Sequence, residues 1–240
     1  MNKVIGILGY GEIGKAVGKF YKKFFVKELD SNSFPDKIDV LNVCIPFLKN
    51  FVGIVDENIK KYSPEIVIIH STISIGTTME LQLRHRDKII VHSPVRGIHP
   101  HLEKGIKEFV KYIGAENEKD GKIVAKHFKS IGIKKSKVVI PSKNSEALKL
   151  WSTTQYFLNI ILEKEIYKFC KDYKLDFDIV YKDANESYNK GYEKLKCPQY
   201  KKYVLDQRNG KCGGHCLVPN AEILQDKISK FCLELNKNYE

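Results

Sequence analysis

The residues near the start of the chain that are best suited to chemistry are three glycines, spaced as Gly9-x-Gly11-x-x-Gly14. An apolar run precedes them, and a segment with helical spacing follows. In such a strand–turn–helix the first glycine permits a tight turn, the second lets a pyrophosphate approach the backbone, and the third lets the helix pack on the sheet. Asp30 ends the next apolar run, where a carboxylate binds ribose hydroxyls and repels a 2′-phosphate. The pattern predicts a dinucleotide site that takes NAD rather than NADP; a glycine-rich turn without a cofactor is the alternative.

A second glycine turn, Gly213-Gly214-His215-Cys216, separates a polar segment from a helix-like one. Adjacent glycines let the backbone pass close to a ligand, and a cysteine placed there is a nucleophile if its pKa is lowered. A surface turn with an incidental thiol is one alternative. Zinc held by these residues with Cys197 and Cys212 is another, but the spacing is not typical of zinc sites. We therefore expect no metal.

The composition limits the class of protein. The 240 residues are 42% hydrophobic and 29% charged, which excludes a disordered, collagen-like or coiled-coil chain. No apolar run approaches the roughly 18–20 residues that cross a membrane, and the first apolar run is too short for a signal peptide. We expect a cytoplasmic protein with no membrane partner, in which the six cysteines are thiols.

The net charge of +12 favours anionic partners such as phosphates and carboxylates. The lysines are spread along the chain and form no basic arm. Binding to nucleic acid is therefore the weakest of the options that the charge allows. A small anionic or sugar substrate is the expected partner.

Short apolar runs alternate with helical patterns up to Pro141. This alternation is typical of a parallel sheet with helices on both faces. We therefore expect a Rossmann-type, doubly wound, mainly parallel α/β domain over residues 1–143, and this domain would bind NAD. The predicted strands cover residues 3–8, 24–29, 38–45, 65–70, 88–92, 109–114 and 137–140.

A smaller helical domain for substrate binding and dimerisation is predicted over residues 144–240. Its main element is a long central helix over residues 145–173, with Ser145 as N-cap. A helix over 176–185, an irregular polar segment over 188–214 and a closing helix over 221–235 follow. Apolar residues lie on more than one face of the long helix, which must then be covered on both sides. We therefore expect a homodimer.

Four blocks of the sequence resemble the nucleotide-sugar 6-dehydrogenases, the family of UDP-glucose and GDP-mannose dehydrogenases, and occur in that family's order. They are residues 9–14 with Asp30, residues 70–78, residues 145–150 with Glu165, and residues 213–217. The second block is similar to the family's Ser-Thr-x-x-x-Gly-Thr loop. The third is similar to its central helix with an essential lysine, and the fourth to its Gly-Gly-His-Cys turn. Together they cover most of the chain.

The resemblance implies a two-step oxidation of a primary alcohol with NAD. Cys216 would capture the aldehyde as a thiohemiacetal and later hold a thioester, Lys149 would stabilise the oxyanion, and Thr72 would lie beside the nicotinamide. The implied cofactor-binding residues are Gly9, Tyr10, Gly11, Glu12, Ile13, Gly14, Asp30, Pro46, Ser71 and Thr72. The implied substrate-binding residues are Ser93, Arg96, Thr153, Gly213, Gly214 and His215.

Three positions depart from the family's pattern. Val95 replaces the glutamate that assists thioester hydrolysis, Thr153 replaces an asparagine, and Asn220 replaces an aspartate. The chain ends at Glu240, so we also expect a compact form without the family's C-terminal domain, which helps to bind the nucleotide of the sugar. One-step and two-step oxidation both stay open, and so does the substrate.

Other side chains are candidates for the missing functions. Glu103 or Glu108 would supply a carboxylate, and His92, His99 or His101 a general base near a strand end. His92-Ser93-Pro94 with Arg96 is placed like substrate-binding residues of related dehydrogenases, such as prephenate dehydrogenase. A surface loop is the alternative for residues 99–101.

Three functions follow from the sequence. The first is an NAD-dependent oxidoreductase acting on a sugar-derived or anionic alcohol. The second is a non-catalytic NAD-binding sensor or partner protein, which the three replaced positions favour. The third is a polyanion or nucleic-acid binder, which only the net charge supports.

Overall fold

A computed structural model describes residues 3–29, 34–214 and 216–239. The chain divides into two compact units, Met1–Lys149 and Leu150–Glu240. Among the described residues, no helix combines the length and the apolar character needed to cross a membrane.

The first unit is built on one seven-stranded sheet. Its strands are β1 Ile5–Leu8, β2 Phe25–Lys27, β3 Val40–Val43, β4 Ile66–Ile69, β5 Ile89–His92, β6 Lys111–Gly114 and β7 Ser136–Val139. The order is β2-β1-β3-β4-β5-β6-β7, and all neighbours are parallel except β5 and β6, which pair antiparallel. The strand order reverses at β1, which is where Rossmann-type sheets bind ligands. The predicted α/β fold with a mainly parallel sheet is confirmed.

Helices cover both faces of this sheet. They are α1 Glu12–Gly18, α2 Phe51–Tyr62, α3 Thr77–Arg84, α4 Leu102–Glu108 and α5 Glu118–Ser130. Successive strand residues alternate between two apolar clusters: Ile66 and Ile68 of β4 join one, and Val67 and Ile69 join the other. Because both strand faces are buried, the strands read as continuous apolar runs.

The second unit is helical. It continues α6, Lys143–Asp172, which starts in the first unit, and adds a π-helix Asp178–Asp183, α7 Ala184–Lys194, a 3₁₀ turn Pro198–Tyr200, α8 Leu217–Leu224 and α9 Lys227–Asn236. Its core joins Phe157 and Ile161 of α6 to Ala221 of α8 and Cys232 of α9.

Several predicted element bounds were wrong. Strand β2 has three residues because it pairs only with β1, over Phe25, Val26 and Lys27. Helix α6 begins at Lys143, so Ser145 is not its N-cap; its hydroxyl instead donates to Ser142 O at 2.8 Å.

The second unit also differs from the prediction. Residues 188–194 are helical, and the rings of Tyr188 and Tyr192, one turn apart in α7, stack at 5.9 Å. The predicted closing helix is two helices, because Gln225 takes a left-handed conformation with φ +56°. Asp226 then caps α9 by accepting from the Ser229 amide at 2.8 Å.

Candidate functional site

The glycine turn follows β1 at the carboxyl edge of the sheet, and each glycine has its own geometry. Gly9 has φ +86°, which favours glycine. A Cβ on Gly14 would lie 2.1 Å from Gly9 O, so α1 packs directly against the turn. A Cβ on Gly11 would meet nothing within 4 Å. The turn therefore leaves open space at the glycine where a pyrophosphate approaches a Rossmann turn.

A carboxylate lies beside this turn. Glu28 directly follows β2, and its Oε1 accepts a hydrogen bond from the Tyr10 amide at 3.1 Å. Asp30, the predicted ribose ligand, lies outside the described residues. Glu28 was missed because β2 was predicted to run through residue 29; the signal was an acidic residue at the end of a shorter strand.

Tyr10, Glu12 and Ile13, which were predicted to bind the cofactor, each make a different kind of contact within the protein. The ring of Tyr10 packs on Phe24, with centroids 5.8 Å apart. Glu12 pairs with His99, with 2.5 Å between Oε2 and Nδ1, so the loop after β5 contacts the start of α1. Ile13 packs against the apolar core.

The loops after β3 and β4 end at the same edge. Pro46 is exposed after β3. Ser71 is buried, and its hydroxyl donates to Ile45 O at 2.6 Å, which ties the two loops together. Thr72 is half-buried beside it. The Ser71 hydroxyl therefore joins the loop that contains Pro46 to the loop that contains Thr72, two segments predicted to bind the cofactor.

Glu146 links the loop after β4 to helix α6. It is fully buried, and its Oε2 accepts from the Gly76 amide at 2.6 Å. Its Oε1 accepts from the amide and the hydroxyl of Thr78, at 2.9 and 2.7 Å. This carboxylate satisfies amides at the start of α3 that have no partner within that helix. No sequence pattern pointed to this role.

The loop after β5 carries three of the positions singled out from the sequence. Ser93 is fully buried, and its hydroxyl donates to Tyr112 O at 2.6 Å. Val95 is 4% exposed and belongs to the core, so no carboxylate stands where the family has glutamate. The guanidinium of Arg96 lies over the rings of Phe109 and Tyr112, at 5.7 and 5.5 Å.

Lys149 contacts this loop. Its Nζ donates to Val95 O at 3.0 Å, and the residue is half-buried. The bond places an ammonium group at the carboxyl edge of the sheet, in the same unit as the glycine turn and Thr72.

Most of the candidate bases and carboxylates are engaged by neighbours. His92 is fully buried between Ser71 O and Ser145 Oγ, at 3.0 and 2.8 Å, and burial lowers its pKa to about 3. Hydrogen bonds from Lys107 and Lys19 lower the pKa of Glu103. Glu108 pairs with Lys135 at 3.4 Å, and His101 is exposed at the start of α4. His92 is therefore neutral at physiological pH.

The second glycine turn lies in the second unit. Gly214 has φ +84°, and a Cβ on Gly213 or Gly214 would meet nothing within 4 Å. Cys216 is half-buried and caps α8, while His215 lies outside the described residues. The turn offers open backbone directly before a thiol.

The turn is anchored at its other end. The Asn236 side chain accepts from the Cys212 amide at 2.7 Å and donates to Cys212 O at 2.9 Å. All six cysteines are thiols. Within the described parts of the chain, no group of three or more His, Cys, Asp or Glu is placed to hold a metal ion.

Two of the three departures from the family's pattern contact each other. Asn220, which is 4% exposed, donates through Nδ2 to Thr153 Oγ1 at 3.1 Å. The Thr153 hydroxyl donates to Leu150 O at 2.8 Å. The two replacements therefore form one hydrogen-bonded pair within the second unit. Glu165 accepts a hydrogen bond from Tyr239 OH.

The sequence matches no protein-family model and no curated protein. Solved structures do match. A UDP-D-ManNAc dehydrogenase from Pyrococcus horikoshii has a TM-score of 0.76 at 17% identity, covering 98% of this chain and 68% of that one. A UDP-glucose dehydrogenase from Pyrobaculum islandicum has a TM-score of 0.71 at 16% identity, covering 99% and 68%.

A third similar structure is a 3-hydroxyisobutyrate dehydrogenase from Mycobacterium tuberculosis. Its TM-score is 0.69 at 13% identity, and the match covers 99% of this chain and 94% of that one. At these identities the similarity shows the fold. It confirms the fold that the resemblance of the four sequence blocks implied.

Proposed function

We propose that this protein is an NAD-dependent oxidoreductase that oxidises a primary alcohol group of a small anionic or sugar-derived substrate. The observation that carries the proposal is the glycine turn. It combines a left-handed Gly9, a tight contact at Gly14 and open space at Gly11, at the point where the strand order reverses. These features fit a dinucleotide pyrophosphate.

The acidic end of β2 supports NAD over NADP. Glu28 lies against the turn through the Tyr10 amide, and Asp30 follows it in the sequence. A carboxylate there accepts hydrogen bonds from ribose hydroxyls and repels a 2′-phosphate. Pro46, Ser71 and Thr72 follow the ends of β3 and β4, next in the sheet, where the rest of the cofactor would lie.

Three residues are proposed to act at the substrate: Lys149, Cys216 and Thr72. NAD would supply the hydride acceptor when bound, one molecule for each of the two hydrides released. The Lys149 ammonium stabilises negative charge on the substrate oxygen as the alcohol loses its proton. The Cys216 thiolate adds to the aldehyde carbon, forming a C–S bond; loss of a second hydride leaves a thioester, and water releases a carboxylate and restores the thiol. Thr72 orients the substrate or a water beside the nicotinamide.

Calorimetric titration with NAD and with NADP tests the cofactor half of the proposal. We expect NAD to bind and NADP to bind about tenfold more weakly, a difference of about 1.4 kcal/mol. Binding of neither dinucleotide would overturn the proposal.

Lys149→Met tests the catalytic half. A panel of alcohols with carboxylate, phosphate or nucleotide groups is screened by NADH absorbance. For the alcohol that reacts, we expect Lys149→Met to lower kcat by about 10²–10³ while NAD affinity is kept. Lys168→Met, at an exposed lysine of the same helix, is the matched control. Equal kcat in the two variants would remove Lys149 from the mechanism.

A non-catalytic NAD-binding protein is the second candidate. The buried Val95 and the fully engaged His92 favour it, because neither supplies the base or carboxylate that hydrolysis needs. It predicts NAD binding with no NADH formed from any alcohol of the panel.

We also propose that a second copy of the chain covers α6. Trp151, Leu162 and Phe169, which share one face of this helix, are 42–55% exposed, while Phe157 and Ile161 are buried. An exposed apolar stripe of this kind is typical of an interface. Light scattering would give twice the 27.6 kDa of the chain; a mass of one chain would contradict the dimer.

A further inference from the structure

Lys111, the first residue of β6, has a buried ammonium group. The residue is 3% exposed. Its Nζ donates to Ser93 O at 2.5 Å and to Pro94 O at 3.0 Å, and lies 3.2 Å from His70 Nδ1. Besides burial, the groups that shift its pKa are Cys44 and Lys149, neither of which is a carboxylate.

A buried charge without a counter-ion is costly, and an apolar side chain of the same length would fill the space at lower cost. The presence of a buried lysine therefore needs an explanation. The three hydrogen-bond acceptors of its ammonium group provide one. Ser93 and Pro94 begin the loop that also receives Lys149 at Val95 O, and His70 directly precedes Ser71 and Thr72.

We propose that Lys111 is a positioning residue, which holds the loop after β5 and the strand end before Thr72 as one rigid edge for the reaction. The catalytic purpose of this role rests on the proposed function. The contacts of Lys111 do not depend on that function. Lys111 touches neither substrate nor cofactor. It acts through the carbonyls of Ser93 and Pro94 and through the ring of His70.

A charged Lys111 satisfies the acceptors of this cluster together. An ammonium has three donors, which face Ser93 O, Pro94 O and His70 Nδ1; His70 Nδ1 also lies 3.1 Å from Ser93 O. His70 then carries its proton on Nε2 and donates to Asn42 Oδ1 at 3.0 Å. A neutral amine has two donors. One carbonyl then loses its partner, or His70 moves its proton to Nδ1 and loses Asn42.

The hydrogen-bond network extends from His70 through Asn42 to Tyr21 and His127. Asn42 Nδ2 donates to Gly6 O at 3.3 Å, which fixes its oxygen toward His70. Tyr21 OH lies 3.2 Å from Asn42 Oδ1 and 3.0 Å from His127 Nε2. The edge is thus connected by hydrogen bonds to the segment that follows α1 and to α5.

Lys111 is the group of this cluster that titrates near neutral pH. Burial lowers its pKa to about 7. Burial also lowers the pKa of His70, His92 and His127, and raises that of Cys44 to about 12, so these stay neutral. Tyr21 stays neutral because burial raises its pKa, and the Lys149 ammonium faces the same loop. Because burial holds the pKa of Lys111 below its usual value of about 10.4, the closed edge favours the neutral amine more than an edge opened to solvent does, and its protection should rise as pH rises above about 7.

Hydrogen exchange of the apoprotein tests this. In Lys111→Met we expect amides of residues 71–75 and 95–98 to exchange at least about tenfold faster than in the wild type, with amides of α2 unchanged. The wild-type protection, corrected for intrinsic rates, should rise between about pH 7 and pH 9, and Lys111→Met should show no such change. Lys137→Met, at an exposed lysine of the neighbouring β7, is the control and should behave as wild type.

Unchanged exchange in both segments of Lys111→Met, or wild-type protection that does not vary with pH, would overturn the proposal. If Lys111→Met does not fold, His70→Gln is used, and unchanged exchange at residues 71–75 overturns it equally. Where turnover is measurable, Lys111→Met should lower kcat with little change in NAD affinity. Absence of NAD binding by the wild type would refute the proposed function but leave the exchange result to decide the role of Lys111.

Discussion

Glu146 binds Thr78 twice through one carboxylate oxygen, which accepts from the Thr78 amide at 2.9 Å and from its hydroxyl at 2.7 Å. The two residues belong to sequence blocks that lie 68 positions apart. One begins α3 and the other lies in the first turns of α6. Lys149 follows Glu146 by about one helical turn. The carboxylate therefore sets the position of Lys149 relative to the loop that carries Thr72.

Glu146→Gln should destabilise the first unit. The change replaces one acceptor oxygen by an NH₂ group that faces an amide donor, so a buried N–H loses its partner. We expect the free energy of unfolding in urea to fall by about 1–3 kcal/mol. Glu80→Gln on the exposed side of α3 removes only a surface pair with Arg84, and should cost under about 0.5 kcal/mol. Equal losses of unfolding free energy in the two variants would contradict the role of Glu146 as a buried acceptor for the Gly76 and Thr78 amides.

Gly14→Ala and Gly11→Ala should separate folding from cofactor binding. A Cβ on Gly14 would lie 2.1 Å from Gly9 O, and the overlap should lower stability by about 1–3 kcal/mol or more. A Cβ on Gly11 meets no protein atom within 4 Å, so that variant should keep its Tm. Its methyl group would occupy the space proposed for the pyrophosphate, and calorimetry should show weaker NAD binding. Wild-type affinity in Gly11→Ala would argue against a dinucleotide at this turn.

Glu28→Gln should weaken NAD binding and reduce discrimination against NADP. Glu28 directly follows β2, and the Tyr10 amide holds its carboxylate beside the glycine turn. Loss of its charge removes repulsion of a 2′-phosphate. Calorimetry with both dinucleotides measures the ratio of affinities, with Asp30→Asn compared in parallel. If only Asp30→Asn changes this ratio, Asp30 is the residue that selects the cofactor.

Cys216 should react with iodoacetamide faster than Cys212, although the two lie in one turn. Burial raises the pKa of Cys212, and it raises those of Cys232 and Cys44 to about 11 and 12, so these thiols are poor nucleophiles. Peptide mass spectrometry over a time course gives each rate, and Cys216→Ser identifies the peptide. Alkylation of Cys212 at the rate of Cys216 would refute this order.

Stability should fall steeply in mild acid. Burial lowers the pKa of His70, of His92 to about 3, and of His127 to about 4. Below about pH 6.5 the unfolded chain binds protons that the folded chain does not, so stability is lost as pH falls from 6.5 toward 4. Each such histidine contributes a slope of up to about 1.4 kcal/mol per pH unit. Urea unfolding should show a smaller slope for His127→Gln and an unchanged slope for the exposed His101→Gln.

The fold could be predicted from the sequence because its signals are local. Gly9, Gly11 and Gly14 stand next to the run that becomes β1, and continuous apolar runs mark buried parallel strands. Errors arose where neighbours decide the length of an element. Strand β2 stops at Lys27 because β1 ends opposite it, and the α8–α9 break depends on the backbone of Gln225.

The site could be predicted only in part. Thr72, Lys149 and Cys216 stood out by resemblance to a family. Glu28 and Lys111 carried no signal of that kind, and Glu146 lay in a resembling block without a role being predicted for it. Lys111 is one of many lysines in the chain, and nothing local distinguishes the one that is buried. Its partners His70 and Ser93 come from two other strands, so its role depends on strand order and direction.

The reversed direction of β6 has a consequence for how such an edge can be built. Strands β1 and β3 to β5 all finish at the carboxyl edge, whereas β6, which pairs antiparallel with β5, starts there. Its first residue, Lys111, is therefore beside the loop that leaves β5. In the parallel sense the same residue would lie at the opposite edge, about 10 Å away over a strand of this length. If these loops were grafted onto a uniformly parallel sheet, the carbonyls of Ser93 and Pro94 would lose their lysine donor. A graft of the site would therefore have to include the antiparallel strand β6.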